Sequence, residues 1–247
     1  APRDIVASAT NPTTIRVKWH RPRQTNGILL GYKVFYKHAT DGELQAAVVP
    51  PNQLNHTNTD VDPMTEYVVT VSAFTSAGDG PESRPVTVRT QEGVPSSPFG
   101  LNAYALNTTS VSVSWQIPLD PNGVIEGYNL YYEAAGSEDE ELMQVGPEEG
   151  VDSPYVLSGL QPYTLYSLEI AAVTGGGEGD RSDQLKVQTL EGVPSNPVRV
   201  AAFAVDPRTI RVDWRPPLKA NGEIMGYNVF YGPSDTDDVL SRTVDPN

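Results

Sequence analysis

Few residues in this chain could do acid–base or metal chemistry. The three histidines, His20, His38 and His56, fall on different predicted elements, and no Ser or Asp accompanies them in the pattern of a catalytic triad. No pair of them matches a metal-binding motif. The chain has no cysteine, which excludes thiol nucleophiles, thiolate zinc sites and disulfides. We therefore expect a protein that is not an enzyme and that binds no cofactor and no metal.

One glycine-rich stretch, Thr174–Asp180 (TGGGEGD), superficially resembles a phosphate-binding loop. It follows a predicted strand, but it lacks the Lys-Ser/Thr pair and the following helix that a phosphate loop requires. Its position matches that of Thr75–Pro81 (TSAGDGP) earlier in the chain. A connection between two strands is therefore the better interpretation.

An acidic run, Ser137–Glu141, together with Glu148 and Glu149, could attract calcium or a basic partner. It lacks the fixed ligand spacing and the glycine of a dedicated calcium loop. We expect a solvated loop between two strands.

Two tripeptides match the acceptor pattern for N-linked glycosylation, and they begin at Asn55 and Asn107. Asn11 is excluded because a proline follows it. Asn107 falls eight residues before Trp115, in a predicted turn where a glycan would be accessible. An occupied site would place the protein in a secreted or cell-surface context. Asn107 and Asn55 are therefore candidate glycosylation sites.

The basic residues near the start of the chain could bind an anionic glycan. Alternation along the predicted strands places them on opposite sheets and in the turn between, so they do not form one patch. We expect a solvated surface, and glycan binding is the minor hypothesis. The candidate contacts are Arg16, Lys18, Arg21, Arg23, Lys33 and Lys37.

The net charge of −14 is spread unevenly along the 247 residues. Residues 92–190 carry 2 basic and 15 acidic groups, a net charge of −13, whereas residues 1–91 carry 9 and 8 and residues 191–247 carry 6 and 8. Such a surface repels nucleic acid and anionic lipid. No apolar run reaches the roughly 18 residues of a membrane span, so we expect no membrane insertion by this segment. The first residues lack a signal-peptide pattern, so we expect that any targeting segment was removed or never included.

The spacing of the tryptophans reveals an internal repeat. Trp19, Trp115 and Trp214 are 96 and 99 residues apart, a period that suits tandem domains. Each is followed after seven residues by Asn-Gly and after 13 by tyrosine. The Asn-Gly pairs begin at Asn26, Asn122 and Asn221, and the tyrosines are Tyr32, Tyr128 and Tyr227. The linkers also repeat, as TQEGVPSSP from Thr90 and TLEGVPSNP from Thr189.

Apolar and polar residues alternate in short segments of each repeat, which is the pattern of half-buried strands. In Thr14–Trp19 (TIRVKW), for example, Ile15, Val17 and Trp19 would point inward. Asn-Gly tolerates positive backbone dihedral angles and so belongs in the turn before the next strand. Short strands separated by Pro and Gly predict antiparallel sandwiches.

A tyrosine follows an apolar residue by six positions in each of the first two repeats, as Tyr67 after Val61 and Tyr166 after Leu160. Such a tyrosine can bury its ring and return its hydroxyl to a nearby backbone group, as in the tyrosine corner of sandwich domains. The predicted structural core is built around Trp19, Trp115, Trp214, Tyr67 and Tyr166.

Together these motifs resemble tandem fibronectin type III domains over essentially the whole chain. The resemblance implies seven-stranded sandwiches, with strands A, B and E facing strands C′, C, F and G. It implies domains at residues 1–91 and 92–190 and an incomplete domain, strands A to C′, at residues 191–247. Integrin-binding members carry Arg-Gly-Asp in the F–G loop, and neither F–G loop here contains it.

Two departures from the pattern follow. The third repeat would reach its corner tyrosine near residues 262 to 265, beyond Asn247, so strands E to G lie outside this sequence. We expect a fragment boundary or an incompletely registered chain, and the alternative is that another chain supplies these strands. In the first repeat, His56 and Asn58 stand where the second has Tyr155 and Leu157, so strand E is expected to shift register or to be weak and exposed.

The resemblance implies a non-catalytic spacer and protein-binding segment from the extracellular part of a cell-surface adhesion or signalling receptor. The linkers between the repeats look like those of leukocyte-common-antigen-related receptor tyrosine phosphatases and of Dscam- and Sidekick-type receptors. Proline-containing linkers would limit bending between domains. Expected partners are other cell-surface or matrix proteins, with homophilic contact as one option. The alternatives are a spacer of a secreted matrix protein, an intracellular scaffold and an accessory module of a secreted glycoside hydrolase.

Overall fold

The computed structural model describes residues 1–40, 42–234 and 237–246, and in these residues the regular elements are twenty β-strands. The first repeat contains β1 (Arg3–Asn11), β2 (Thr14–His20), β3 (Gly31–His38), β4 (Leu44–Val49), β5 (Asn55–Asn58), β6 (Glu66–Thr75), β7 (Gly78–Asp79) and β8 (Val86–Arg89). The second contains β9 (Phe99–Ala105), β10 (Ser110–Gln116), β11 (Gly127–Ala134), β12 (Glu141–Val145), β13 (Tyr155–Ser158), β14 (Leu165–Thr174), β15 (Gly177–Arg181) and β16 (Leu185–Gln188). The third contains β17 (Val198–Asp206), β18 (Thr209–Arg215), β19 (Tyr227–Tyr231) and β20 (Leu240–Val244).

The first two repeats share one sheet topology. In the first, β1-β2-β5 form one sheet and β4-β3-β6-β7 form the other, with β8 also paired to β6. In the second, β9-β10-β13 and β12-β11-β14-β15 form the two sheets, with β16 also paired to β14. The strand pairs are antiparallel. The predicted all-β fold, with A, B and E in one sheet and C′, C, F and G in the other, is confirmed.

Strand E of the first repeat, β5, does not show the register shift or the exposure that the sequence led us to expect. His56 on β5 lies opposite Val17, and Tyr155 on β13 lies opposite Val113, which is the same position one repeat later. The register is therefore unchanged between the two repeats. His56 is half-buried, so the strand is not simply exposed.

Polar partners explain how this strand accommodates its unusual residues. The Tyr36 hydroxyl lies 2.7 Å from Nδ1 of His56, and the Asn58 side-chain amide donates to Oε1 of Gln45 at 2.8 Å. A half-buried polar group that gains a hydrogen bond avoids most of the cost of leaving water. The strand therefore keeps its place in the sheet without the apolar side chains of its counterpart.

An edge-to-face aromatic pair occupies the same place in all three repeats. A tryptophan of strand B meets a tyrosine that is the first or second residue of strand C, an arrangement that aromatic quadrupoles favour. The ring centroids are 5.3 Å apart for Trp19 and Tyr32, 5.2 Å for Trp115 and Tyr128, and 5.4 Å for Trp214 and Tyr227. The side chains of Trp19 and Trp115 are buried, whereas that of Trp214 is half-buried.

The corner tyrosines bond the backbone just before their strand. The Asp62 N–H donates to the Tyr67 hydroxyl oxygen at 3.0 Å, and the Gln161 N–H donates to that of Tyr166 at 2.9 Å. Both rings are buried. Each corner therefore attaches the loop that crosses between the sheets to the core of its own repeat.

Described residues of the third repeat form two separate two-stranded sheets, β17-β18 and β19-β20. Their pairing follows that of strands A-B and C-C′ in the complete repeats. Trp214, Val229 and Tyr231 line an open cleft of about 740 Å³ between the two sheets.

Candidate binding surfaces

The linker after the first repeat is bound to the repeat that follows it. The Gly93 N–H donates to the carbonyl oxygen of Asn122 at 2.8 Å, and the Asn122 side-chain amide donates to the carbonyl of Val94 at 2.9 Å. The Ser96 N–H donates to the carbonyl of Asp120 at 2.9 Å, and the Asp120 N–H donates back to the Ser96 hydroxyl at 3.2 Å. The linker is therefore part of the second repeat's structure.

The second linker makes the same contacts with the third repeat. The Gly192 N–H donates to the carbonyl of Asn221 at 2.6 Å, and the Asn221 side-chain amide donates to the carbonyl of Val193 at 2.8 Å. Ser195 and Lys219 exchange the remaining two hydrogen bonds, at 2.9 and 3.2 Å. We call residues 92–96 the first joint and residues 191–195 the second joint.

Each joint confines a glycine between two repeats. A Cβ atom at Gly93 would lie 3.3 Å from Pro63 of the first repeat and 3.4 Å from Asn122 of the second. At the second joint, the corresponding distances from Gly192 are 3.2 Å to Pro162 and 3.5 Å to Asn221. A larger residue at either glycine would push these neighbours apart, since contacts this short leave little free space.

The Asn-Gly motif therefore serves both the turn before strand C and the joint. Asn122 has φ of 53° and Asn221 has φ of 52°, in the left-handed region that Asn tolerates better than most residues. Asn26 adopts the same φ of 52° in the first repeat. Spacing alone predicted the turn, but it did not reveal that the asparagine amide binds the linker.

The glycine-rich stretch Thr174–Asp180 lies beside the first joint. The Thr174 hydroxyl donates to the carbonyl of Gly93 at 2.7 Å, and the Gly175 N–H donates to Oε2 of Glu92 at 3.0 Å. A Cβ at Gly176 would overlap the backbone of Gly93. The glycines therefore allow the linker to pass close to the F–G loop.

A network of charged and polar side chains around Arg181 lies on the sheet of the second repeat that contains strands C, F and G. The Arg181 guanidinium donates to Glu140 at 2.6 and 3.1 Å and to Glu169 at 3.1 Å, and it lies 3.4 Å from the ring centroid of Tyr131. The bond to Glu140 is the main cause that raises the pKa of Arg181. Glu178 accepts hydrogen bonds from the Tyr131 hydroxyl and from the Asn129 amide, each at 2.7 Å. Sequence analysis missed this network because its members come from distant parts of the chain.

The six basic candidates for glycan contact are not brought together. Arg16 and Lys18 are exposed on β2, whereas Lys33 and Lys37 lie on β3 of the other sheet. Lys33 pairs with Asp79 at 2.7 Å. Arg21 and Arg23 are exposed in the loop between these strands, and Arg21 donates to the carbonyl of Pro51 at 3.0 Å.

Both candidate glycosylation sites are exposed. Asn107 lies in the turn between β9 and β10, where its Oδ1 accepts hydrogen bonds from the backbone and hydroxyl of Thr109. The carbonyl of Asn107 accepts from the Leu190 N–H at 3.2 Å, next to the second joint. Asn55 is the first residue of β5, opposite Lys18 on β2.

The three histidines lie apart. His20 contacts Asp4 at 3.2 Å, the His38 ring packs against Tyr67 with centroids 5.5 Å apart, and His56 faces Tyr36. The acidic run contributes Glu140 to the Arg181 network. Within the described part of the chain, no group of three or more His, Asp or Glu side chains is arranged to hold a metal ion.

Comparison with known proteins identifies the family to which the chain belongs. The profile of the fibronectin type III domain matches residues 1–89 and 96–188, and the chain belongs to this family. Over 242 residues, 95% of this chain, it is 37% identical to Tyrosine-protein phosphatase Lar of Drosophila melanogaster. It is 33% identical to Neogenin of Rattus norvegicus over 99% of this chain and 34% identical to Cell adhesion molecule DSCAM of Mus musculus over 93%.

The chain spans 12% of Lar, 18% of Neogenin and 12% of DSCAM, so it corresponds to a small part of each relative. A crystal structure of chicken CNTN1 FN1-FN3 domains has a TM-score of 0.58, covering 99% of this chain and 84% of that chain. Its sequence identity is 20%, so this likeness concerns the fold. The described residues contain no helix that is both long and apolar enough to cross a membrane.

Proposed function

We propose that the chain is an extracellular, non-catalytic spacer and protein-binding segment of a cell-surface adhesion or signalling receptor. The observation that carries this proposal is its 33–37% identity to Lar, Neogenin and DSCAM over 93–99% of its length. These relatives are cell-surface adhesion receptors, and the chain matches a segment of tandem fibronectin type III domains in them. Lar is named a phosphatase, but the chain spans only 12% of it.

The two joints support the spacer role. Both bind the linker to the following repeat through the same hydrogen bonds, and both place a glycine between a proline and an asparagine. A linker held by several hydrogen bonds bends less than a flexible chain of the same length. The joints would therefore keep neighbouring domains in a fixed relation at the cell surface.

Partners of this segment would be other cell-surface or matrix proteins, including a second copy of the chain. The second repeat has a net charge of −13 over residues 92–190, which favours partners with a basic surface because complementary charge speeds association. Glycosylation at Asn107 and Asn55 would accompany an extracellular location. Because the basic residues of the first repeat are scattered, binding of anionic glycans is the minor hypothesis.

A binding screen tests the protein-binding role. A fluorescent tetramer of the chain is applied to cells that each display one receptor ectodomain, one matrix protein or the chain itself. We expect saturable binding to at least one displayed ectodomain, weakened by added salt. A tetramer of an unrelated sandwich with similar net charge is the control. Binding to matrix proteins alone would favour the matrix spacer, and no binding above control would contradict the protein-binding role.

Glycan occupancy tests the location. The chain is expressed through the secretory pathway of animal cells, and its mass is measured before and after enzymatic removal of N-glycans. We expect a shift that disappears in the Asn107→Gln variant, with a smaller contribution lost in Asn55→Gln. Protein from the native source with both sites unoccupied would favour the intracellular scaffold.

A further inference from the structure

An open groove in the first repeat corresponds to the place that the first joint occupies in the second repeat. The groove has a volume of about 660 Å³ and lies between the B–C loop, residues 22–26, and the F–G loop, residues 75–81. Ala1 is one of its lining residues. In the second repeat, the linker residues 92–96 pass between the same two loops.

We propose that this groove is a docking site for an extended Glu-Gly-Val-Pro-Ser segment that is joined to the amino group of Ala1. Ala1-Pro2 already provides the x-Pro end of the repeated motif EGVPS-x-P, and Pro2 is buried as Pro98 is. A segment joined at Ala1 would therefore enter the groove in the same register as residues 92–96.

The groups that bind residues 92–96 in the second repeat have counterparts in the first repeat. Asn26 has the same left-handed φ as the two joint asparagines, and no hydrogen bond of its side-chain amide is found within the described residues. Thr75 stands where Thr174 donates to the linker, and its hydroxyl accepts from the Ala77 N–H at 3.3 Å as Thr174 accepts from Gly176. The backbone of Gln24 corresponds to that of Asp120.

Charge favours an acidic segment. Arg3 and Arg23 line the groove, with Arg3 also 3.9 Å from Asp4, and the one acidic residue among the described lining residues, Asp79, is paired with Lys33 at 2.7 Å. In the second repeat Glu126 lies near Glu92 at the first joint, whereas the first repeat has Leu30 at that position. The segment's glutamate would therefore meet less like-charge repulsion in this groove.

One residue narrows the groove. Ala77 stands where the second repeat has Gly176. A Cβ atom added at Gly176 would overlap the linker backbone in the second repeat. The docked segment must therefore lie slightly farther from the F–G loop than residues 92–96 do. Removing this methyl group by Ala77→Gly is expected to strengthen docking.

Hydrogen exchange on an extended form of the full chain tests the proposal. Five residues, Glu-Gly-Val-Pro-Ser, are added before Ala1, and the control carries the same five in scrambled order. By analogy with the joints, the added glycine and serine amides donate to the Asn26 and Gln24 carbonyls. We expect these amides to exchange at least about tenfold more slowly than in the control, more slowly still with Ala77→Gly, and without protection in Asn26→Ala.

Three results would overturn the proposal: equal exchange in the original and scrambled segments, protection that persists in Asn26→Ala, or protection that occurs only with Ala77→Gly. Exchange of the β3 and β6 amides in the same samples reports whether Asn26→Ala remains folded. Amide chemical shifts of Gln24, Asn26 and Gly78 provide a second measurement, because a docked segment changes them and a free one does not.

Discussion

The hydroxyl oxygen of Tyr36 lies 2.7 Å from Nδ1 of His56 inside the first repeat. Burial raises the pKa of the Tyr36 hydroxyl, which therefore stays protonated and shares this hydrogen bond with the neutral imidazole. Burial also lowers the pKa of His56 below its usual value of 6.5. The first repeat thus contains a half-buried histidine that resists protonation, and the second repeat has Tyr155 in its place.

Acid is therefore expected to destabilise the first repeat selectively. The pKa of His56 is lower in the folded state than in the unfolded chain, so the unfolded chain binds more protons as the pH falls below 6.5. The stabilisation that is present above pH 6.5 is therefore lost as the pH falls towards the pKa of the folded state. The measurement is amide exchange of β2 and β5 between pH 7.5 and 5, corrected for intrinsic rates. His56→Gln should flatten this dependence, and the exposed-residue control His20→Gln should leave it. Equal pH dependence in the two variants would contradict the prediction.

Gly150→Ala is expected to destabilise the second repeat by about 3 kcal/mol or more, since overpacking adds to left-handed backbone strain. Gly150 has φ of +79°, and a Cβ there would overlap the ring of the buried Trp115. Gly136→Ala is the matched control, because Gly136 has φ of +85° with nothing within 4 Å of its Cβ position. That variant should lose only about 1–2 kcal/mol. Denaturant unfolding followed by tryptophan fluorescence would compare them, and similar losses would contradict the role of Trp115.

Arg181→Ala is expected to cost the second repeat about 1–2 kcal/mol, because the guanidinium makes charge-assisted hydrogen bonds and lies against an aromatic ring. Lys186→Ala, which removes the other basic residue of residues 92–190, should change stability by less than about 0.5 kcal/mol. Unfolding in low and high salt checks both, and the Arg181 effect should shrink with salt. Equal losses in the two variants would indicate a general charge effect.

Asn122→Ala is expected to release the first joint. The change removes the amide that binds Val94 and replaces a residue at φ of 53°. Asn26→Ala makes the same change at the same φ in the first repeat, so it controls for effects that do not act at the first joint. We expect the Gly93 and Ser96 amides to exchange about tenfold faster in Asn122→Ala and to be unchanged in Asn26→Ala. Unchanged exchange in both variants would show that the asparagine amide does not hold the linker.

Much of the fold was predictable because each repeat must build its own core from local alternation. Strand B could be recognised from Thr14–Trp19 alone, and the 96- and 99-residue spacing supplied the comparison that makes such short signals specific. The turn at Asn-Gly was predictable for the same reason, since it depends on the backbone preferences of two adjacent residues.

Contacts between distant segments were not predictable in this way. Strand E of the first repeat looked irregular because the sequence shows His56 without showing Tyr36 beside it. The joint was also missed, although its signal was present: the EGVPS linkers and the Asn-Gly pairs recur together. Because the two motifs recur together, contact between them could have been predicted, but one sequence does not distinguish contact from separate roles.

The attachment of residues 92–96 to the second repeat has a practical consequence for dissecting such proteins. A recombinant piece excised at the start of β9, Phe99, would leave behind the residues that fill the space between its B–C and F–G loops. A piece that begins at Glu92 would retain them. A piece that keeps these contacts therefore begins before the linker, so that the linker stays attached to the domain that follows it.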